Sequence, residues 1–140
     1  MDTMKNQKNE DSKPLVWDAT FSVNANVLDE QHKALFSIMN ELGSAREQNL
    51  EKVEILAIIT KLYNYSSTHF RDEEALLEQK KFTGISDQQT HHAIFLDYVI
   101  DLERKVKAGI ADVDAEIMTF LKVWWKEHIL KMDKKYSTLF

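Results

Sequence analysis

Four stretches of this chain repeat apolar residues every three or four positions, the spacing of one face of an α-helix. The first runs through Leu28, His32, Leu35, Met39 and Leu42. The second runs through Ile55, Ile59, Leu62, Ser66, His69, Glu73 and Leu76, and the third through Ile85, Gln88, His92, Phe95, Val99, Leu102 and Val106. The fourth takes Val113, Ile117, Phe120 or Leu121, Trp124 and His128. The repeat predicts helices over roughly 30–47, 51–79, 87–107 and 113–132. An all-β alternative would need many turn residues, and the 140 residues include only 3 Gly and 1 Pro. Short connections force neighbouring helices to run antiparallel. The expected fold is therefore all-α: an up-down-up-down antiparallel four-helix bundle with an N-terminal arm.

The punctuation supports this division. Ser86 and Gln89 form an S-x-x-Q capping box for the third helix, and the loop Lys80 to Ile85, with Gly84, precedes it. Gly109 can close that helix in a left-handed cap, and Asp112 can cap the fourth. Residues 1–13 read as a flexible N-terminal tail, and 14–140 as one bundle domain. Within it, Pro14 to Leu28 has apolar residues without a helical period and reads as an extended arm packed on the bundle.

Charge and composition narrow the partners. The net charge of −5 disfavours nucleic acid and anionic membranes, which both reward basic patches. The chain has no Cys, so it forms no disulfide, thiolate metal site or Cys nucleophile. Met1 to Lys13 lacks the apolar stretch of a signal peptide. No apolar run approaches the ~20 residues of a membrane span. A cytoplasmic location is the resulting expectation.

The chemistry lies in what interrupts the stripes. A stripe facing a bundle core should be apolar, yet His32, Ser66, His69, Glu73, Gln88, His92 and His128 break all four. Burying such groups is unfavourable unless each finds a partner. His32 is near the start of the first helix, His69 and Glu73 late in the second, Gln88 and His92 near the start of the third, and His128 near the end of the fourth. In an up-down-up-down bundle those positions share one end. Imidazole and carboxylate together suit iron, zinc or manganese. His69 and Glu73 are spaced i,i+4, so both face inward, and Asp133, five residues beyond His128, could reach the same centre from a fraying last turn. Any one of these histidines alone reads more naturally as a hydrogen-bonded core or surface residue. Their convergence from four helices favours a metal site.

The motifs Phe21-Ser22-Val23, Asp29-Glu30-Gln31-His32, His69-Phe70-Arg71-Asp72-Glu73-Glu74, His92-Ala93-Ile94-Phe95 and Trp124 through His128-Ile129 to Asp133, taken in order, resemble a bacterial hemerythrin over about residues 15–137. The resemblance implies two iron ions joined by an oxo or hydroxo bridge. It implies that Glu73 and Asp133 bridge the irons, that His32 and His69 hold the iron with an open position, and that His92 and His128 hold the other. The implied ligand is O2 or another small diatomic or anionic molecule, in a pocket near Phe70, Trp124 and Trp125. Two positions depart from the family pattern. Gln88 stands where the family usually has the first His of H-x-x-x-H; it is either a weak ligand or, more readily, a hydrogen-bond partner behind the ligands. Trp125 stands where Leu is common beside the pocket and should narrow or reshape it. His91 is one residue from His92 and points about 100° away on a helix, so it is not expected to replace the missing imidazole.

The rival readings fit less well. A ferritin-like di-iron oxidase or ferroxidase places E-x-x-H on two helices, and no E-x-x-H occurs here. A histidine phosphotransfer bundle needs an exposed His beside small and basic residues; His32-Lys33 is a faint match. No Gly-rich phosphate loop, HExxH or nucleophile elbow is present. The expectation is a ligand-binding or sensing protein rather than an enzyme. A signalling domain would be its partner if the chain is an input module of a longer protein. Ser66 is expected to be a small packing residue bonded to the carbonyl four residues back.

Overall fold

The computed structural model describes residues 13–140. Four helices carry the apolar repeats: α1 (Asn26–Glu47), α2 (Lys52–Gln79), α3 (Ile85–Lys107) and α4 (Ala115–Glu127). The chain then widens into a π-helical turn, His128–Met132, and tightens into a 3-10 segment, Asp133–Leu139. No strand occurs among the described residues. The expected tail falls outside the described residues except for Lys13, whose carbonyl accepts the Lys122 ammonium at 3.0 Å. No described helix is long and apolar enough to cross a membrane.

Consecutive helices run antiparallel because their connections are short. α1 packs on α2 and on α4, and α2 packs on α3. Aromatic pairs join α3 to α4, with Phe95 against Trp124 (ring centroids 4.5 Å apart) and Tyr98 against Phe120 (4.1 Å). The predicted stripes supply the core: Leu28, Leu35, Met39 and Leu42 from α1, Ile59 and Leu62 from α2, and Phe95, Val99, Leu102 and Val106 from α3 are buried. In the fourth stripe the structure takes the Leu121 alternative, keeps Val113 and His128 buried, and departs from the predicted stripe chiefly at Trp124. Leu121 and Trp125 are fully buried, whereas Phe120 is exposed and Trp124 half-buried. The helix also starts two residues later than predicted: buried Val113 lies in the extended lead-in, and Asp114 rather than Asp112 caps the helix, accepting the Ile117 N–H at 2.9 Å.

Two other ends differ in detail. α3 begins at Ile85, so Ser86 is already helical and makes no capping box; its carbonyl accepts the Thr90 hydroxyl. Gly109 closes α3 as expected. At φ +72 it lets Ile110 N–H reach back to the Lys105 carbonyl at 2.9 Å.

The N-terminal arm lies along the bundle as predicted, but yields to α1 at Asn26. Leu15 and the Asn40 side chain exchange two 2.8 Å hydrogen bonds. Asp29 then fixes the entry to α1, accepting Val23 N–H at 2.9 Å and the Ser22 hydroxyl at 2.6 Å. Three residues later on α1 comes His32, whose position is thereby tied to the arm.

Candidate metal centre

α1 carries His32 inward; α2 carries His69 and Glu73 one turn apart; α3 carries Gln88 and His92 with the same i,i+4 spacing. The widened turn after α4 supplies His128 and Asp133. All seven are at most 3% exposed. The convergence predicted from topology is therefore present, with every one of these side chains in one layer at one end of the bundle.

The spacing of His128 and Asp133 has a specific cause. On a regular α-helix, residues five apart point about 140° away from each other. Here the Asp133 N–H bonds to the His128 carbonyl, an i→i+5 bond that adds a residue to the turn. His128 Nε2 and Asp133 Oδ1 come within 3.1 Å as a result. Asp133 is thus held by an ordered π turn, not by the fraying end that the sequence led us to expect.

Glu73 is the hub. Its Oε1 lies 2.9 Å from His92 Nε2, and its Oε2 lies 3.6 Å from His69 Nε2 and 3.9 Å from His32 Nε2. Asp133 Oδ2 lies 3.4 Å from His32 Nε2. Two triads, His32-His69-Glu73 and Glu73-His92-His128, each bring one donor atom per residue within 4.8 Å of the others, and they share Glu73. The four imidazole Nε2 atoms, Glu73 Oε1 and Asp133 Oδ2 are buried without a well-formed hydrogen bond. Buried polar atoms are ordinarily paired. Six unpaired nitrogen and carboxylate donors in one layer therefore fit cations, and one carboxylate common to two triads fits two of them.

The donors are oriented from behind. His69 Nδ1 lies 2.6 Å from Gln31 Oε1, and Gln31 Nε2 donates to Asp72 at 2.9 Å. His92 Nδ1 lies 2.7 Å from Glu74. The Tyr136 hydroxyl donates to Glu73 Oε2 at 2.6 Å, and Gln88 Nε2 donates to Asp133 Oδ1 at 2.9 Å. With Nδ1 engaged, His69 and His92 offer Nε2 to the centre, whereas Nδ1 of His32 and of His128 is buried without a hydrogen bond. Gln31, Asp72, Glu74 and Tyr136 were missed from sequence. Gln31 and Glu74 sit next to His32 and Glu73 in the chain, on the flank of the stripe where a neighbouring helix's imidazole would look for a partner. Tyr136 follows Asp133 by three residues, one turn along the same face.

Electrostatics reflect this crowding. Burial alone would lower the His32 pKa, but the Asp133 and Glu73 carboxylates outweigh it and raise it. Burial is likewise outweighed at His92, raised by Glu73 and Glu74. Burial, with the charge of His32, takes His69 well below its ordinary value. Burial would raise Asp133, but His128 and His32 overcome it and hold the carboxyl below the usual carboxylate range.

Aromatic rings wall the layer. Phe70 stacks on His92 (3.9 Å, 8°) and on Trp125 (5.4 Å, 16°), and Trp124 stacks on His128 (4.6 Å, 10°). Trp125 is fully buried. His91 is exposed, as expected. Ser66 is buried as expected, but its hydroxyl makes no bond to the preceding turn.

The comparisons with known proteins agree with this geometry. The Hemerythrin HHE cation binding domain family model matches residues 23–140. A bacteriohemerythrin of Methylococcus capsulatus is 29% identical over 124 residues, covering 88% of this chain and 94% of that protein. A hemerythrin from Sipunculus nudus is 30% identical over 126 residues, covering 90% of this chain and 93% of that one. A crystal structure of wild-type hemerythrin superposes with a TM-score of 0.82 at 30% identity, covering 90% of this chain and 97% of that one. Shared sequence over nearly the whole domain, the same bundle, and a buried layer of cation-type donors lead to one conclusion: the chain belongs to the hemerythrin family.

Proposed function

We propose that this protein holds two irons and binds O2 at one of them, as a ligand-binding protein rather than an enzyme. The observation that carries this is the sharing of buried Glu73 between two triads of otherwise unpaired donors. In this reading Glu73 and Asp133 would be shared by the two irons, His32 and His69 would hold the one open to ligand, and His92 and His128 would hold the other. The iron pair supplies the redox electrons and the coordination position for O2. The protein's own residues do the rest. Gln31 and Glu74 hold His69 and His92 in the tautomer that presents Nε2. Tyr136 and Gln88 fix the rotamers of the bridging carboxylates. Phe70, Trp124 and Trp125 exclude bulk water from the layer.

Between storage and sensing, Gln88 and Trp125 favour sensing or altered reactivity. Gln88 replaces an imidazole by a weaker amide donor, and Trp125 fills space beside the ligand position. The decisive experiment is quantitative metal analysis of freshly purified protein, with optical spectra of the reduced form before and after O2. About two irons per chain and an O2-dependent charge-transfer band are expected. Zinc alone, or a haem Soret band, would overturn the reading.

A further inference from the structure

Six of the buried atoms without a hydrogen-bond partner are the donors described above; Ser66 Oγ and Trp125 Nε1 are not among them. Both residues are fully buried. Ser66 precedes His69 by three residues on α2, and Trp125 precedes His128 by three on α4, so both lie one turn deeper in the bundle than the donor layer. The Trp125 ring lies 5.8 Å from the His69 ring, 6.2 Å from the His32 ring and 6.1 Å from the His128 ring, centroid to centroid. Trp125 is thus beside both imidazoles of the His32–His69 triad and beside one, His128, of the other, and Ser66 lies one turn from His69 on its own helix.

An indole N–H only donates, and a serine hydroxyl left unbonded by its own helix also has a proton to give. Two such donors, each buried one turn below the centre without an acceptor among the described residues, call for an explanation, because buried polar groups are rarely left unpaired. No described residue supplies an acceptor to either. A ligand at the His32–His69 position would. Neutral donors fixed in a water-poor pocket interact most strongly with negative charge.

Resting on the two-iron reading above, we propose that Trp125 Nε1–H and Ser66 Oγ–H donate hydrogen bonds to the outer atom of a small anionic ligand on the His32–His69 side. The two residues are then specificity-determining: they favour anions over neutral diatomic molecules. Trp125 is in this view a polar contact as well as a bulky wall.

The test uses the iron-loaded full chain with azide as the anionic probe and NO as the neutral one. Iron content is measured first. In the native protein the azide stretch should shift on exchange from H2O to D2O. Trp125→Phe keeps the ring and removes the N–H, and Ser66→Ala removes the hydroxyl. Each should weaken azide binding roughly tenfold, the scale of one hydrogen bond to a charged acceptor, with NO binding changed less than about twofold. The D2O shift should vanish in the double variant. Azide affinity within about twofold of native in both variants, or no D2O shift in native protein, overturns the proposal and leaves the two-iron reading standing. A native protein without an iron pair overturns both.

Discussion

The Tyr136 hydroxyl donates to Glu73 Oε2 across 2.6 Å, tying the C-terminal 3-10 segment to the carboxylate at the hub of the site. Burial, with the charges of Asp133 and Glu73, raises the Tyr136 pKa, so the phenol stays a donor across the working range. Tyr136→Phe keeps the ring against Phe82, 6.0 Å away, and removes only the donor. Metal-free protein should lose about 1–3 kcal/mol, the cost of leaving a buried acceptor without its partner. Urea unfolding followed by circular dichroism measures this, and an unchanged midpoint would show that Glu73 does not depend on the bond.

Glu73→Ala should abolish metal binding at both positions. Glu73 is the one carboxylate common to both triads, so its removal leaves two cations with less charge compensation. Metal-to-protein ratios after loading should fall well below one. A variant that kept two irons and the native spectrum would remove Glu73 from the bridging role.

Gln88 donates Nε2 to Asp133 and leaves Oε1 buried without a partner. An imidazole there would give the iron proposed at His92 and His128 a better donor. We expect the oxygenated native protein to decay quickly to the diferric state, and Gln88→His to prolong its lifetime under matched pH and temperature. Stopped-flow absorbance compares the two. Equal lifetimes would make the substitution functionally silent and remove the main support for a sensing role.

Metal uptake near neutral pH should release protons. His32 and His92 have raised pKa values in the metal-free fold and must give up their protons to coordinate. His69, lowered, is already neutral. The signs for stability follow. The raised pair stabilises the metal-free fold fully below the unfolded value of about 6.5 and loses that contribution as pH rises through the folded values. His69 does the reverse: its contribution is present above about 6.5 and is lost as pH falls toward its lowered value. Apparent metal affinity should therefore rise with pH through the neutral range. Titration calorimetry in buffers of different ionisation enthalpy counts the protons, and an uptake independent of buffer would contradict it.

Much of this was legible in the sequence. The helical repeats located all four helices, and the polar interruptions located the donors, because a polar residue on a core-facing stripe is conspicuous whatever its exact rotamer. What escaped was set by geometry between helices. Gln31 and Glu74 look like ordinary surface residues until an adjacent helix brings a histidine ring to them. The face that α4 turns inward, which buries Trp125 more fully than Trp124, is set by its packing against the other helices. A spacing of five was readable as a difficulty at Asp133, but the π turn that resolves it has no local signature.

That turn makes helix register and ion affinity two readings of one equilibrium. Returning residues 128–132 to a regular α-helix would rotate Asp133 by about 100° and carry Tyr136 with it. A cation held between His128 and Asp133 would oppose that slippage, and by reciprocity anything that favours the regular helix would oppose the cation. Alanine at the exposed position Leu130 thus acts on the centre through the winding of the backbone.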